Sequence, residues 1–221
     1  MQKHIPVVEK ILSANDRLAL ENQSSLDSAN VLAINVMASP GAGKTSLIEQ
    51  TIKGLEGRVR IGMSNGDIAT SFDASRARAA GAVAVQINTG GGCHLDAVMV
   101  QSAISQLDLG ALDLVIIENV GNLVCPADFK LGTHKSVLVA SIPEGDDKPY
   151  KYPGMYRGVD VVVINKIDLL PYVPFRMDFF KKGIEVLNPG VRQFELSCQT
   201  GAGLTDWVVW LEGVVKEFRS N

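Results

Sequence analysis

The sequence predicts an α/β fold, with a mostly parallel β-sheet flanked by helices on both faces and a helical extension at the N-terminus. Three observations predict it. Seven short runs are almost wholly apolar, segments of helical periodicity lie between several of them, and a glycine-rich loop follows the first run. Strands buried on both faces are apolar along their whole length, and their alternation with helices indicates parallel pairing. The predicted strands cover residues 31–37, 58–64, 82–87, 112–118, 136–142, 159–165 and 191–197.

The first helix is predicted in the segment IPVVEKILSANDRLAL, which has the spacing of an amphipathic helix. The polar residues 21–30 that follow are interpreted as a linker. Residues 1–30 then form an N-terminal helix and linker, and residues 31–221 form one α/β domain. Besides the helix after the glycine-rich loop, further helices are predicted at residues 74–80, 95–107, 175–187 and 204–218.

Composition restricts the class of protein. With 221 residues, 46% of them hydrophobic, and a formal net charge of −3, the chain can bury a full core but lacks the basic surface of a nucleic-acid-binding protein. No apolar run reaches the roughly 18 residues of a membrane span, and the N-terminus lacks the pattern of a signal peptide. We therefore expect a cytoplasmic protein whose three cysteines are ligands, nucleophiles or core residues rather than disulfides.

The glycine-rich loop ASPGAGKT matches the phosphate-binding pattern GxxxxGK[ST] except at Ala38, where glycine is usual. Its position between a strand and a helix predicts a P-loop NTPase, against the alternative of a simple glycine-rich turn. Backbone N–H groups of such a loop surround phosphate oxygens at a helix N-terminus. Lys44 is expected to bridge the β- and γ-phosphates, and the Thr45 hydroxyl to bind Mg²⁺. The predicted nucleotide-binding residues are Gly41, Ala42, Gly43, Lys44, Thr45 and Ser46.

Two later segments predict which base is bound. The segment NKID places Asn165, Lys166 and Asp168 at a strand end, and a carboxylate there can accept both N1–H and N2–H of guanine, which adenine does not offer. The Lys166 stem is expected to lie along the base, and Asn165 to hold the loop together. The segment SCQTG, with Ser197 and Cys198, resembles a second guanine loop. Cys198 is interpreted there as a small residue whose backbone faces the base.

Acidic residues at two further strand ends are candidates for Mg²⁺ binding and hydrolysis. Glu118 follows the apolar run LVII, where a carboxylate can reach the Mg²⁺ shell. The segment GDIATSFDASR contains Asp67 together with Asp73 and Arg76, which resemble the DxxR element of signal-recognition GTPases. An alternative role for Asp73 is to cap a helix that starts at residue 74. We predict Lys44, Asp73, Arg76 and Glu118 as catalytic residues, and Thr45, Asp67, Asp73 and Glu118 as Mg²⁺ ligands.

A candidate site for a second metal lies in TGGGCHLD. Adjacent side chains on a strand point to opposite faces, so Cys93 and His94 can share an ion only in a turn, which the three glycines supply. Both residues are expected at a helix start, where the dipole favours a thiolate. With Cys125 they would give Zn²⁺ or Ni²⁺ two sulfur ligands and one nitrogen ligand. The alternative is that the cysteines are ordinary core residues, because their spacing matches no standard zinc motif.

Taken together, SPGAGKTSL, GDIATSFDASR, TGGGCHLDA, IENVGNLVCPADFKLG, EGDDKPYKYP and INKIDLLP resemble the HypB family of hydrogenase nickel-incorporation GTPases, in the SIMIBI class of P-loop NTPases. The resemblance implies a cytosolic GTPase that uses Mg²⁺ and forms a GTP-favoured homodimer. It implies a Ni²⁺ or Zn²⁺ site at Cys93, His94 and Cys125 near the dimer interface. It also implies delivery of Ni²⁺ to the large subunit of [NiFe]-hydrogenase, with a HypA-type zinc protein as a partner.

Some features depart from that family or leave alternatives open. Residues 1–30 hold no cysteine and only one histidine, His4, so an N-terminal nickel store is not expected. Ser39 and Pro40 stand where a deviant P-loop lysine would reach a second subunit, and Lys148 is a candidate substitute, unless it is only a solvated loop charge. The alternative functions are a urease-accessory-type nickel GTPase, a metal-storage protein, and a signalling GTPase without a metal role.

Overall fold

The computed structural model describes the backbone of residues 7–67 and 72–220, and the side chains of residues 12–66 and 75–220. Within this part of the chain, seven parallel strands form one sheet, in agreement with the predicted runs. In chain order the strands are β1 (Leu32–Ala38), β2 (Ile61–Asp67), β3 (Val83–Asn88), β4 (Leu114–Glu118), β5 (Lys135–Ser141), β6 (Val161–Asn165) and β7 (Arg192–Glu195). Their order across the sheet is β3-β2-β4-β1-β5-β6-β7.

Helices cover both faces of this sheet, as the sequence predicts. They are α1 (Val7–Ser28), α2 (Lys44–Leu55), α3 (Phe72–Ala79), α4 (Ala97–Ile104), α5 (Lys148–Lys151), α6 (Pro153–Arg157), α7 (Met177–Leu187) and α8 (Leu204–Ser220). Short 3₁₀ turns occupy Leu109–Ala111, Cys125–Ala127, Ile142–Glu144 and Ile167–Leu169. No helix among the described residues combines the length and the hydropathy needed to cross a bilayer.

Alternation along β1 shows how the layers are built, because successive strand side chains point to opposite faces. Leu32, Ile34 and Val36 pack into a core with α2, α3 and α8. Ala33 lies on the other face in a core with α1 and α4, and Met37 packs there against α6 and α7. The central strands are therefore buried on both faces, which is why they read as continuous apolar runs in the sequence.

The prediction of a linker at residues 21–30 is wrong, because α1 continues to Ser28. Its buried stripe is Asn15, Ala19, Asn22 and Leu26, spaced at helical intervals, with asparagine at two of the four positions. Asn22 Nδ2 donates to Ala97 O at 2.9 Å and to Leu131 O at 3.0 Å, so the buried amide is satisfied by the first residue of α4 and by a loop. The polar composition of residues 21–30 therefore did not indicate a helix, because part of its buried face consists of hydrogen-bonded asparagine. The division of the chain into an N-terminal extension, residues 1–30, and one domain, residues 31–221, stays a prediction.

Candidate nucleotide and metal site

The phosphate-binding pattern forms the predicted strand–loop–helix unit, because β1 ends at Ala38 and α2 begins at Lys44. Gly41 and Gly43 have φ values of 78° and 101°, a region that residues with a Cβ rarely adopt. A Cβ on Gly43 would lie 2.4 Å from Asn165 Nδ2. The loop is thus packed directly against the predicted base-binding segment, and glycine is the residue that permits this contact.

Behind the loop, Glu118 forms the centre of a buried polar group. This residue is the last one of β4 and is 2% exposed. Thr45 Oγ1 donates to Glu118 Oε1 at 2.7 Å, and Asn65 Nδ2 donates to Glu118 Oε2 at 2.9 Å. These bonds offset part of the cost of burying a carboxylate. The predicted hydroxyl and carboxylate ligands of Mg²⁺ are therefore adjacent, with the hard oxygen donors that this ion prefers.

The other acidic candidates are only partly described. Asp67 is the last residue of β2, and Asp73 lies within α3, but both side chains fall outside the described residues. The capping interpretation of Asp73 is wrong, because α3 begins at Phe72 and Asp73 is its second residue. Arg76 forms a two-pronged ion pair with Glu49 of α2, with Nε–Oε1 at 2.8 Å and Nη2–Oε2 at 2.7 Å. Arg76 thereby ties α3 to the helix that follows the phosphate loop.

Asn165 connects the two predicted guanine segments to the phosphate loop. Its Nδ2 donates to Ala42 O at 3.0 Å, and its Oδ1 accepts from Lys166 N at 2.8 Å and from Cys198 N at 3.2 Å. Asn165 is 1% exposed, so its amide group is shielded from solvent. The expectation that Asn165 holds the loop together agrees with these contacts. The Cys198 amide, expected to face the base, donates to Asn165 instead.

The remaining base-segment residues surround this asparagine. Lys166 has a φ of 62° and donates through Nζ to Gly41 O at 2.6 Å, so its stem crosses from one loop to the other. Asp168 Oδ1 is buried and has no hydrogen-bond partner among the described residues. Ser197 Oγ accepts from the backbone N–H groups of residues 199 and 200, which closes the second loop. Burial raises the pKa of the Cys198 thiol to about 11, so this half-buried cysteine is protonated near neutral pH, and it lies outside the cluster that Cys93 and Cys125 form with His94.

Cys93, His94 and Cys125 come together as one candidate metal cluster. The Cys93 thiol lies 3.0 Å from Cys125 Sγ and 3.5 Å from His94 Nδ1, and one ligand atom from each residue falls within 4.8 Å of the others. Gly90 and Gly91 have φ values of 60° and 95°, which confirms the predicted glycine turn. Cys93 is exposed and Cys125 half-buried. The alternative that both are core cysteines is therefore wrong.

The surroundings of the cluster differ from the expectation in one respect. Asp96 is the N-cap of α4, and its carboxylate accepts from Met99 N at 2.8 Å. Cys93 lies ahead of this cap, so the helix dipole acts on Asp96 and the predicted helix start at residue 95 is too early.

The other two ligands are set by their neighbours. The hydrogen bond with Cys93 and, to a smaller extent, burial raise the pKa of the Cys125 thiol, so metal binding would displace protons here. The His94 ring stacks on Phe129 at a centroid distance of 3.9 Å, which fixes its orientation.

Lys148 lies beside the phosphate loop rather than on a remote surface. It begins α5 and lines a groove of about 430 Å³ together with Ser39, Pro40 and the segment 121–124. Its Nζ is 5.7 Å from the centroid of the Tyr152 ring. Whether Lys148 reaches a second subunit stays a prediction.

Several side chains that shape the site were absent from the sequence prediction. Asn65 holds Glu118, Phe129 supports His94, and Asn119 accepts from Leu95 N at 3.1 Å beside the cluster. Little in the sequence indicated them, because each side chain contacts another residue of the site rather than a metal or a nucleotide. Of these three, only Asn119 stands in a pattern that could have indicated it, ENVGN, which has two asparagines directly after a strand end and just before Cys125.

Comparison with known proteins agrees with this geometry. Residues 32–195 match the family model described as CobW/HypB/UreG, nucleotide-binding domain. The hydrogenase maturation factor HypB of Rhizobium leguminosarum bv. viciae is 47% identical over 212 residues, which cover 96% of this chain and 71% of that protein.

Two solved structures share this fold over most of the chain. The structure of HypB from Helicobacter pylori in complex with nickel superposes with a TM-score of 0.88 at 36% identity, covering 92% of this chain and 96% of that one. HypB from Archaeoglobus fulgidus superposes with a TM-score of 0.86 at 38% identity, covering 92% and 99% of the two chains.

Proposed function

The chain belongs to the CobW/HypB/UreG family of nucleotide-binding proteins, and we propose that it is a GTP-hydrolysing metallochaperone that delivers Ni²⁺ to the large subunit of a [NiFe]-hydrogenase. The observation that carries this proposal is the cluster of Cys93, His94 and Cys125, built on segments continuous with the nucleotide site. The relatives of this chain include hydrogenase maturation factors, and one of them has been crystallised with nickel.

GTP is the nucleotide that the base segments favour. The unpartnered, buried Oδ1 of Asp168 can accept a hydrogen bond from guanine, and the second carboxylate oxygen a further one. The Lys166 stem lies beside the base, while Ser197 and Cys198 close the pocket. The backbone of residues 41–46 holds the phosphates, and Lys44 bridges the β- and γ-phosphates.

Hydrolysis depends on Mg²⁺, for which the described donors fit. The Thr45 hydroxyl and the Glu118 carboxylate are hard oxygen donors 2.7 Å apart, and Asp67 and Asp73 complete the candidate ligand set. Bound Mg²⁺ supplies charge neutralisation on the β- and γ-phosphate oxygens. Asp73 orients the attacking water, and Arg76, already held by Glu49, stabilises charge on the transferred phosphate.

Ni²⁺ is the cargo, held by two thiolates and one imidazole. Three protein ligands leave at least one coordination position open, which suits a site that must release its ion, whereas structural zinc sites are normally closed by four ligands. Zn²⁺ accepts the same donors and competes for the site. The exposure of Cys93 gives an acceptor protein direct access to the ion.

Nucleotide state controls metal affinity in this proposal. GTP and Mg²⁺ shift the segments 67–76 and 118–126, which moves Cys125 relative to Cys93 and His94. By linkage, the metal must then change the affinity for GTP by the same factor. GTP also favours a homodimer in which the paired metal loops face each other, and Lys148 beside the phosphate loop is the candidate contact across it. A HypA-type zinc protein is the proposed partner, and the proposed location is the cytoplasm.

A transfer experiment tests the function as a whole. Nickel-loaded protein is mixed with metal-free [NiFe]-hydrogenase large subunit in the presence of GTP or GDP, the proteins are separated, and nickel in the large subunit is measured. We expect transfer with GTP, little transfer with GDP, and none from Cys93→Ala. Because Cys93 is exposed, its replacement by alanine is not expected to impair folding. Equal transfer with both nucleotides would contradict nucleotide control, and full transfer from Cys93→Ala would remove the cluster from the mechanism.

A further inference from the structure

The segment 119–122 directly follows Glu118 and is fixed to the strand that carries the phosphate loop. The N–H of Asn119 donates to Val36 O at 3.0 Å, and the N–H of Asn122 donates to Ala38 O at 2.8 Å. Between them, Gly121 packs against Pro40 so closely that a Cβ would lie 3.1 Å from Pro40 Cα. The segment and the start of the phosphate loop therefore form one hydrogen-bonded unit.

Asn119 extends from this unit to one half of the metal cluster. Its Oδ1 accepts from Leu95 N at 3.1 Å, and Leu95 is bonded directly to His94. Its Nδ2 donates to Asn35 Oδ1 at 3.3 Å, and the side chain is 1% exposed. The Leu95 side chain lies over Gly66, where a Cβ would come within 2.7 Å of Leu95 Cδ2. The backbone beside Cys93 and His94 is thus held from two strand ends of the nucleotide site.

Asn122 extends from the same unit to the other half of the cluster. Its Oδ1 accepts from Val124 N at 2.8 Å and from Cys125 N at 3.4 Å. These two bonds set the turn from which the 3₁₀ segment Cys125–Ala127 begins. The position of the Cys125 sulfur therefore depends on an amide whose own backbone is bonded to Ala38.

Glu118 and Asn119 are neighbours whose side chains leave the chain on opposite sides of the sheet. Glu118 reaches Thr45 beside the phosphate loop, while Asn119 reaches Asn35 and Leu95 on the other side. A shift of this strand end would consequently displace the contacts on both sides of the sheet. A neutral amide suits the buried position, because it accepts backbone N–H groups without bringing a charge into the core.

We propose that Asn119 and Asn122 are the positioning residues of the metal cluster, with Asn119 holding the Cys93–His94 half and Asn122 holding Cys125. The inference deepens the proposed function and rests on it for the identity of the metal. Neither side chain binds the ion. Each fixes the backbone of a ligand, and together they set the distance between the two halves of the cluster from a segment bonded to the phosphate loop.

Ni²⁺ titrations of the metal-free full chain test the proposal, with either GDP or a non-hydrolysable GTP analogue bound. Removing groups that orient metal ligands typically weakens metal binding by about 10- to 100-fold. We expect a loss in this range for Asn122→Ala, with altered thiolate-to-Ni²⁺ absorption. We expect Asn122→Asp to restore both, because it keeps the acceptor oxygen at a half-buried position. Asn188→Ala is the matched control, since Asn188 donates to Tyr156 O and Val159 O away from the cluster.

Asn119→Ala is expected to weaken Ni²⁺ binding in the same way, and a thermal unfolding curve shows whether that variant is folded. If it is not, the pair Asn122→Ala and Asn122→Asp decides the proposal alone. Wild-type affinity and absorption in Asn122→Ala, or a loss that Asn122→Asp does not restore, would overturn it. A wild-type protein that binds Ni²⁺ equally with both nucleotides would instead contradict the nucleotide control of the proposed function. The positioning role is decided separately, by the affinities of the variants within one nucleotide state.

Discussion

Replacing Asp168 by asparagine exchanges one carboxylate oxygen for an amide nitrogen in the predicted base segment. Asp168 Oδ1 is buried and lacks a hydrogen-bond partner among the described residues. Buried acceptors in folded proteins are normally satisfied, so this oxygen indicates a ligand that supplies the donor. In the proposed complex the carboxylate accepts N1–H and N2–H of guanine. Asparagine keeps one acceptor and turns its second group into a donor facing N2–H.

The expected loss follows from the two bonds. A hydrogen bond to a charged group contributes about 1.5–3 kcal/mol. Asparagine loses one of the two bonds and keeps the other as a bond to a neutral amide, which contributes about 0.5–1.5 kcal/mol. The expected loss is then about 2.5–4.5 kcal/mol, or roughly 60-fold to 1,600-fold in affinity for GTP at about 1.4 kcal/mol per factor of ten. Xanthine carries a carbonyl oxygen where guanine carries the amino group. The asparagine amide can donate to that oxygen, so the variant is expected to prefer xanthosine triphosphate.

Competition against a fluorescent guanine nucleotide measures these affinities, with GTP, xanthosine triphosphate and ATP as competitors. We expect GTP to be favoured by the wild-type protein and xanthosine triphosphate by Asp168→Asn, with ATP weak for both. Unchanged Ni²⁺ binding by the nucleotide-free variant serves as the folding control. If Asp168→Asn binds GTP as tightly as the wild type, Asp168 does not read the base and the guanine assignment of this segment is wrong.

Three further outcomes are expected from the same site. Lys44→Ala should weaken GTP binding by about 10- to 100-fold, since a charged hydrogen bond contributes about 1.5–3 kcal/mol, while Ni²⁺ binding by the nucleotide-free protein stays unchanged in a titration. Gly43→Ala should lower the free energy of unfolding by at least about 1–2 kcal/mol, because φ is 101° and the Cβ would meet a side-chain amide at 2.4 Å. Gly213→Ala, with open space around its Cβ, is the control and should not destabilise in the same denaturant titration. Burial raises the pKa of Cys198 to about 11, so its thiol is protonated near neutral pH and becomes reactive only as the pH rises toward that value. Mass spectrometry after brief iodoacetamide treatment at neutral pH should find Cys93 labelled and Cys198 spared, and the reverse order would contradict the burial argument.

Most of the fold could be predicted because the central strands are buried on both faces. A strand such as β6 shows its burial directly, since each of its residues from Val161 to Ile164 is apolar and fully covered. Helix α1 shows the opposite case. Its buried stripe includes Asn15 and Asn22, whose amides bond to Lys130 O, Leu131 O and the backbone of residue 97. Hydropathy cannot indicate burial that depends on hydrogen bonds to residues far away in the sequence.

The candidate site divides in a similar way. Residues that would touch a ligand carry recognisable chemistry, so the cysteines and histidine of the cluster were predicted and the structure brings them within 4.8 Å of one another. Residues that hold those ligands do not. Asn119 reaches Leu95 across 24 positions of sequence, and Phe129 supports His94 from a loop beyond the second cysteine. Such partners depend on the tertiary arrangement, which sequence spacing does not contain.

The central claim is that nucleotide state and metal occupancy are coupled, and a closed thermodynamic cycle tests it most directly. Ni²⁺ affinity is measured with GDP and with a non-hydrolysable GTP analogue, and the affinity for each nucleotide is measured with and without Ni²⁺. The account predicts that Ni²⁺ affinity differs between the two nucleotides and that Ni²⁺ shifts their relative affinities by the same factor. It also predicts that both effects vanish in Cys93→Ala. Equal Ni²⁺ affinity in both nucleotide states would contradict the account and would leave the glycine turn as a metal site independent of GTP.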